Sequence, residues 1–238
     1  MTKKTTIFTL LAACLIAPAN ADDNCRESMD IAEELALDGI SEIAVAAGAG
    51  KLVVTGQPTL TTAQLEGMAC ASDEDDLKEI SLETQREGST LVIRTIIPKS
   101  MTRMLGNSYA RLDLEVQVPN HLPVRIDDGS GSLVVNGVAS VEIEDGSGSI
   151  QVADVAGAVK ISDDGSGSIT IVNAGSVYIG EDGSGSIKAA QITNDVYVGR
   201  DGSGSITAKD VGGSFTVVSD GSGSISHSNV AGQVQIDD

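Results

Sequence analysis

Six copies of Asp-Gly-Ser-Gly-Ser, beginning at Asp128, Asp145, Asp164, Asp182, Asp201 and Asp220, bring carboxylates, hydroxyls and glycine amides into one short pattern. Each of these groups does chemistry in other settings. Glycine-rich turns cradle phosphate when they open a helix and carry a lysine, but Gly-x-x-x-x-Gly-Lys-Ser/Thr does not occur here, and every turn runs into Leu133 or an isoleucine. A nucleophilic serine needs a base within reach. These serines form no Gly-x-Ser-x-Gly elbow, and His121 and His227, the two histidines of the chain, stand in no catalytic pattern. No catalytic residue is assigned, and a non-enzyme is expected.

The elements that must carry these turns follow from the spacing. The motif recurs every 17, 19, 18, 19 and 19 residues, and between copies lie two short segments of alternating apolar and polar residues separated by a second turn signal. Alternation of period two excludes helical repeats. One coil of two strands and two turns per unit, stacked in parallel on its neighbours, gives an all-β fold: a β-solenoid of the single-stranded parallel β-helix or β-roll kind, with about 18–19 residues per coil. The inward side chains of one coil are Ile150, Val152, Val155, Val159 and Ile161. Two coils later Ile187, Ala189, Ile192, Val196 and Val198 match them. Small and β-branched residues fill so narrow an interior, which explains 2% aromatics in a chain that is 41% hydrophobic.

Stacking raises a question about the aspartates, since carboxylates about 4.8 Å apart repel by roughly 1 kcal/mol even in water. Asx turns, in which each carboxylate accepts nearby amide N–H groups while solvent screens the ladder, are one answer. Calcium is the other, because calcium-binding β-rolls also use glycine-rich turns with aspartates, although there the aspartate follows the glycines. Otherwise no cofactor is expected, and the four cysteine or histidine ligands of a zinc site are not available. On the outer face, the residue between the last two inward positions runs Glu142, Lys160, Tyr178, Tyr197, Thr216, Gln235 from coil to coil. Tyr178 and Tyr197 are expected as stacked neighbours beside Lys160, either as a ladder that stabilises the sheet or as an aromatic platform for a sugar or a partner. His227 takes an inward position that is Val152, Ile171, Ala189 or Ala208 elsewhere. The last coil is expected to leave an open edge, where oligomerisation is one outcome.

Residues 1–21 read as a signal peptide, with Lys3 and Lys4, an apolar run from Ile7 to Ile16, and Ala19-Asn20-Ala21. Leu11-Ala12-Ala13-Cys14 is the alternative, a lipoprotein box acylated at Cys14. No transmembrane segment is expected. In an exported chain the remaining pair, Cys25 and Cys70, is expected to form a disulfide. Removing the leader takes two lysines from the 15 basic residues and none of the 34 acidic ones, so the net charge moves from −19 to −21. Such a charge repels nucleic acid and anionic membrane.

Residues 22–120 form a less regular β region, in which Ile40 to Val45 and Lys51 to Val54 alternate around Gly48-Ala49-Gly50 and Leu112 to Val118 alternate again. A short helix is expected from Ser72-Asp73-Glu74-Asp75, with the Ser72 hydroxyl as cap, and a strand from Thr90 to Ile97 stopped by Pro98. Residues 121–238 are the regular solenoid. Together, the Asp-Gly-Ser-Gly-Ser-Ile repeats, Gly-Ala-Gly-Lys-Leu-Val-Val-Thr-Gly upstream and the signal peptide resemble the bacterial putative-adhesin family of unknown function, itself similar to auto-transporter adhesin heads. The resemblance covers roughly residues 40 to 238. It implies a β-solenoid in the periplasm, cell envelope or surface and no catalytic residues. The expected function is a non-catalytic adhesin or binding scaffold that presents an acidic surface to an envelope protein, glycan or surface. A structural or regulatory periplasmic domain and a calcium-dependent binding module are the alternatives.

Overall fold

The computed structural model describes residues 25–97 and 108–237. The leader with its cleavage site, Cys14 and Pro98 lie outside the described residues. From the N-terminal side the chain runs through β1 (Glu27–Ala36), β2 (Glu42–Gln57), β3 (Thr62–Ala71), a short helix α1 (Glu74–Glu79), β4 (Ser81–Glu87), β5 (Thr90–Ile96) and β6 (Ala110–Pro119). The repeats follow as β7 (Val124–Asn136), β8 (Val141–Asp145), β9 (Gly148–Asp164), β10 (Gly167–Asp182), β11 (Gly185–Ile192), β12 (Val196–Asp201), β13 (Gly204–Val211), β14 (Phe215–Asp220), β15 (Gly223–Val230) and β16 (Val234–Ile236).

Because side chains alternate across a strand, every repeat turns one apolar row inward and stacks in register on the coil before it. The first face holds the start of β7, then β8, the ends of β9 and β10, β12, β14 and β16, all parallel. The second face holds the end of β7, the starts of β9 and β10, then β11, β13 and β15, again parallel. The result is a β-solenoid of about six turns. Its interior is one continuous apolar column in which Ile150, Ile161, Ile169, Ile179 and Phe215 are fully buried. Each such side chain contributes about 1.5–3 kcal/mol of burial.

The boundary that the motif suggests at residue 120/121 cuts through this stack. β2 pairs in parallel with β7 from Ile43/Val124 to Thr55/Asn136, so it is a complete coil that lacks the motif. Gly48-Ala49-Gly50 supplies the same corner, with Ala47 opposite Asp128 and Gly50 opposite Gly131. Gly50 and Gly131 share φ values of +135° and +134°.

Residues 58–97 and 108–123 extend each face of this first coil away from the repeats. β6 lies parallel on the second half of β2, and β3 and β1 continue that sheet antiparallel. On the other face β5 lies parallel on the first half of β2 and carries β4 antiparallel. A disulfide between Cys25 and Cys70, with Cα atoms 5.6 Å apart, ties the start of β1 to β3. Helix α1 is capped by Asp73, whose carboxylate accepts the Asp76 N–H at 2.9 Å. The Ser72 hydroxyl, read from the sequence as the cap, instead accepts the Tyr109 N–H at 3.3 Å. No helix among the described residues is long and apolar enough to cross a membrane.

Candidate functional site

The aspartates of the motif point into the coil. On the first face Val124, Ile126 and Asp128 alternate inward, as do Val141, Ile143 and Asp145. In later coils one extra residue separates the last apolar side chain from the aspartate. A bulge at Ser162, where β9 meets β8, absorbs it, and Gly180 and Gly199 take the equivalent position in the following coils, so the carboxylate stays inward. Asp128, Asp145, Asp164, Asp182 and Asp201 are therefore only 1–3% exposed. This corrects the expectation of a solvent-screened ladder: the corner is made by Gly-Ser-Gly, one step later, and the aspartate is the last residue of the inward row.

Asx bonds form at three rungs, where the Ser147, Ser166 and Ser203 N–H groups donate to Asp145, Asp164 and Asp201 at 3.1–3.2 Å. Even so, the second oxygen of each of these is buried without a partner, and neither oxygen of Asp128 or Asp182 has a hydrogen bond of ordinary geometry, the Gly129 and Ser184 N–H groups offering only a weaker attraction. Fully ionised neighbours at the strand spacing of roughly 4.8 Å would repel by about 3 kcal/mol per pair at an effective dielectric of about 20. Burial, followed by the neighbouring carboxylates, pushes Asp128 and Asp182 up to about 7 and Asp164 up to about 6. Burial also raises Asp145, and burial with the adjacent Asp220 raises Asp201.

Calcium takes about six to eight oxygens. Between two rungs it would meet two carboxylates, while the corner carbonyls of Asp128, Asp145, Asp164, Asp182 and Asp201 already accept N–H groups from the next coil at 2.7–3.1 Å. Among the described residues no group of three or more His, Cys, Asp or Glu side chains is placed to hold a metal ion. This donor set does not fit calcium.

The glycines and serines of the motif are consumed by coil packing. The second glycine of each copy has φ between +134° and +156°, and a Cβ there would lie 1.4–1.8 Å from the glycine carbonyl of the coil below. The middle serines lend their carbonyls to the coil below, as in the 2.9 Å bond from Gly185 N–H to Ser203 O. His121 is exposed in the connection into β7, whereas His227 is exposed on β15, in the row of Ala208. They lie at opposite ends of the repeat stack.

Chemistry directed at solvent gathers on the outside of the first face. A cavity of about 350 Å³ opens where β5, β2, β7 and β8 lie side by side, lined by Arg94, Arg125, Glu87, Asp127, Glu142 and Glu144 among others. Arg94 pairs with Glu87 at 3.3 Å, and Arg125 lies 3.9 Å from Glu42. The outer row leads from Arg125 through Glu142 and Lys160 to Tyr178 and Tyr197. Lys160 donates to Glu142 at 2.5 Å, and that bond raises its pKa. The two tyrosine rings stack, with centroids 4.9 Å apart and planes 3° from parallel. They thus turn faces to each other and edges outward, which differs from a flat platform, and Tyr178 remains 44% exposed.

Aligning the repeats finds the row from Glu142 to Tyr197, and the pairing of β7 with β8 adds Arg125 one coil earlier. Arg94 and Glu87 are missed by that alignment, because they arrive through the pairing of β5 with β2, some 50 residues distant in the chain.

No family model matches the chain, and no curated protein does. Similar solved structures include a putative cell adhesion protein from Clostridium sporogenes, 12% identical, TM-score 0.38, covering 88% of this chain and 99% of that one. A putative lipid binding protein from Parabacteroides distasonis is 15% identical, TM-score 0.39, covering 86% and 96%. A putative adhesin from Bacteroides fragilis is 16% identical, TM-score 0.29, covering 88% and 97%. The likeness is distant in each case.

Proposed function

We propose that the protein is a non-catalytic binding scaffold of the cell envelope, and that it binds through the outer surface of its first face. The observation that carries this reading is the run from the Arg94 and Arg125 cavity through Glu142 and Lys160 to the exposed Tyr178–Tyr197 pair, all held on one parallel sheet. Side chains on a sheet keep their spacing when a ligand arrives, so little conformational freedom is lost on binding. Paired Arg and Glu groups beside aromatic edges suit a hydroxyl-rich or amphipathic partner, such as an envelope glycan or a protein loop. The net charge of −19 disfavours nucleic acid and anionic membrane.

Non-catalytic action is part of the proposal. It is supported by the packing role of the motif's glycines and serines and by the separation of His121 from His227. The test is retention of the protein on envelope polysaccharide and on envelope protein extract, with three variants beside the wild type. Arg94→Ala/Arg125→Ala and Tyr178→Ser/Tyr197→Ser are expected to lose retention about tenfold or more, the effect of about 1.4 kcal/mol. Lys188→Ala, on the outer row of the second face, is expected to keep it. Equal retention by all of them would remove the first face as the binding surface.

A further inference from the structure

We propose that the inward aspartate column is a proton store: below neutral pH its buried carboxyls are held together by protons shared between neighbouring coils, and the stack loosens as those protons leave. Five rungs, Asp128, Asp145, Asp164, Asp182 and Asp201, sit one above another in register, and each has at least one buried oxygen without a partner. Across the interior the second face offers only apolar side chains such as Leu133, Ile150, Ile169, Ile187 and Ile206. Below Asp128, β2 contributes Ala47. Above Asp201 comes Asp220, which is partly exposed. The neighbouring outer row runs from Arg94 through Ala46 to Asp127, Glu144, Asp163, Glu181 and Arg200, so that its two arginines stand at its ends, Arg94 half-buried and Arg200 exposed, both on the outer side of the sheet.

Among the described residues, therefore, no cation faces the column from within. A proton on one carboxyl turns it into an O–H donor toward the free oxygen of the next rung. That removes one of two like charges and satisfies two orphaned oxygens at once. The column titrates as a unit, and its apparent values belong to the set of rungs.

The direction of the pH effect follows. The carboxyls have raised values in the folded protein, up to about 7, against an ordinary 3.8. Between those limits the folded protein holds more protons than the unfolded chain, so its stability falls as pH rises through the window and the protonated contribution is gone above about 7.

The experiment is thermal unfolding from pH 5 to pH 8.5, in chelator, of the wild type and of Asp164→Asn/Asp182→Asn. The wild type is expected to melt at lower temperature as pH rises. The variant, which leaves the Asp128–Asp145 pair in place, should lose about half of that slope and melt above the wild type at pH 8 by about 5 °C or more. Parallel slopes, or a variant less stable than the wild type at pH 8, would overturn the proposal. Infrared spectroscopy of the unsubstituted protein is a second measurement that does not depend on the variant folding. A protonated-carboxyl band should persist at pH 6.5, shift in deuterium oxide and vanish above pH 8, and its absence at pH 6.5 would be equally fatal. A rise in wild-type melting temperature at pH 8 on adding millimolar calcium, abolished in the variant, would replace protons by a metal and overturn the proposal as well.

Discussion

Replacing Gly185 by alanine isolates the constraint that the motif serves. Gly185 sits in a middle coil at φ +142°, and a Cβ there would come within 1.4 Å of the Gly167 carbonyl oxygen. The backbone conformation alone costs a non-glycine residue about 2 kcal/mol. The overlap adds to this, because the two coils must part, and the flanking bonds from Gly167 N–H to Ser184 O and from Gly185 N–H to Ser203 O, both 2.9 Å, are lost or stretched. At about 1 kcal/mol net for each bond, the expected destabilisation is about 4 kcal/mol.

Gly88, in the β4–β5 turn, is the matched control: its φ is +65°, and a Cβ there would meet nothing within 4 Å. Gly88→Ala therefore carries only the left-handed backbone penalty of about 1 kcal/mol. Urea unfolding of both variants, followed by circular dichroism, measures the difference. Hydrogen exchange would locate the loss in the coils on either side of residue 185, since each coil contacts only its neighbours. If Gly185→Ala costs no more than Gly88→Ala, close coil approach is not what the second glycine of the motif is for.

Phe215→Ala should cost about 3–5 kcal/mol in the same unfolding assay, because the ring is fully buried in a column with little room to collapse. Reducing the Cys25–Cys70 bond, which spans 45 residues, should lower stability by about 4 kcal/mol on the chain-entropy view, seen as a lower melting temperature with reductant. Tyr197→Ala should cost about 1 kcal/mol from the lost stacking with Tyr178, and a double-mutant cycle with Tyr178→Ala would show coupling of that size.

The repeat made the coil legible because alternation and spacing act locally. Ile150 to Ile161 are inward in the structure as the alternation requires, and Lys160, Tyr178 and Tyr197 stack in one outer row. The same register reasoning held the answer to the aspartates. Asp128 lies two residues after Ile126 and so continues the inward row, but the extra residue before Asp164 breaks the alternation, and only the bulge at Ser162 restores it. β2 escaped the repeat for a related reason: a coil needs a corner, and Gly48-Ala49-Gly50 makes one without aspartate or serine.

Taken alone, the sequence determined an all-β stacked fold, its inward apolar rows and the rows of its outer face, because each is a consequence of side-chain period and repeat length. Only the tertiary structure decided that the aspartates are buried with oxygens left unpartnered, since their environment depends on how adjacent coils close over the corner. It also decided that Arg94 and Glu87 join Arg125 and Glu142 around one cavity, since β5 reaches β2 through a contact between segments distant in the chain. The Asp-Gly-Ser-Gly-Ser motif is where the two levels meet: its glycines answer to steric contacts readable from any parallel coil, while its aspartates answer to a dielectric environment that exists only once the coils are stacked.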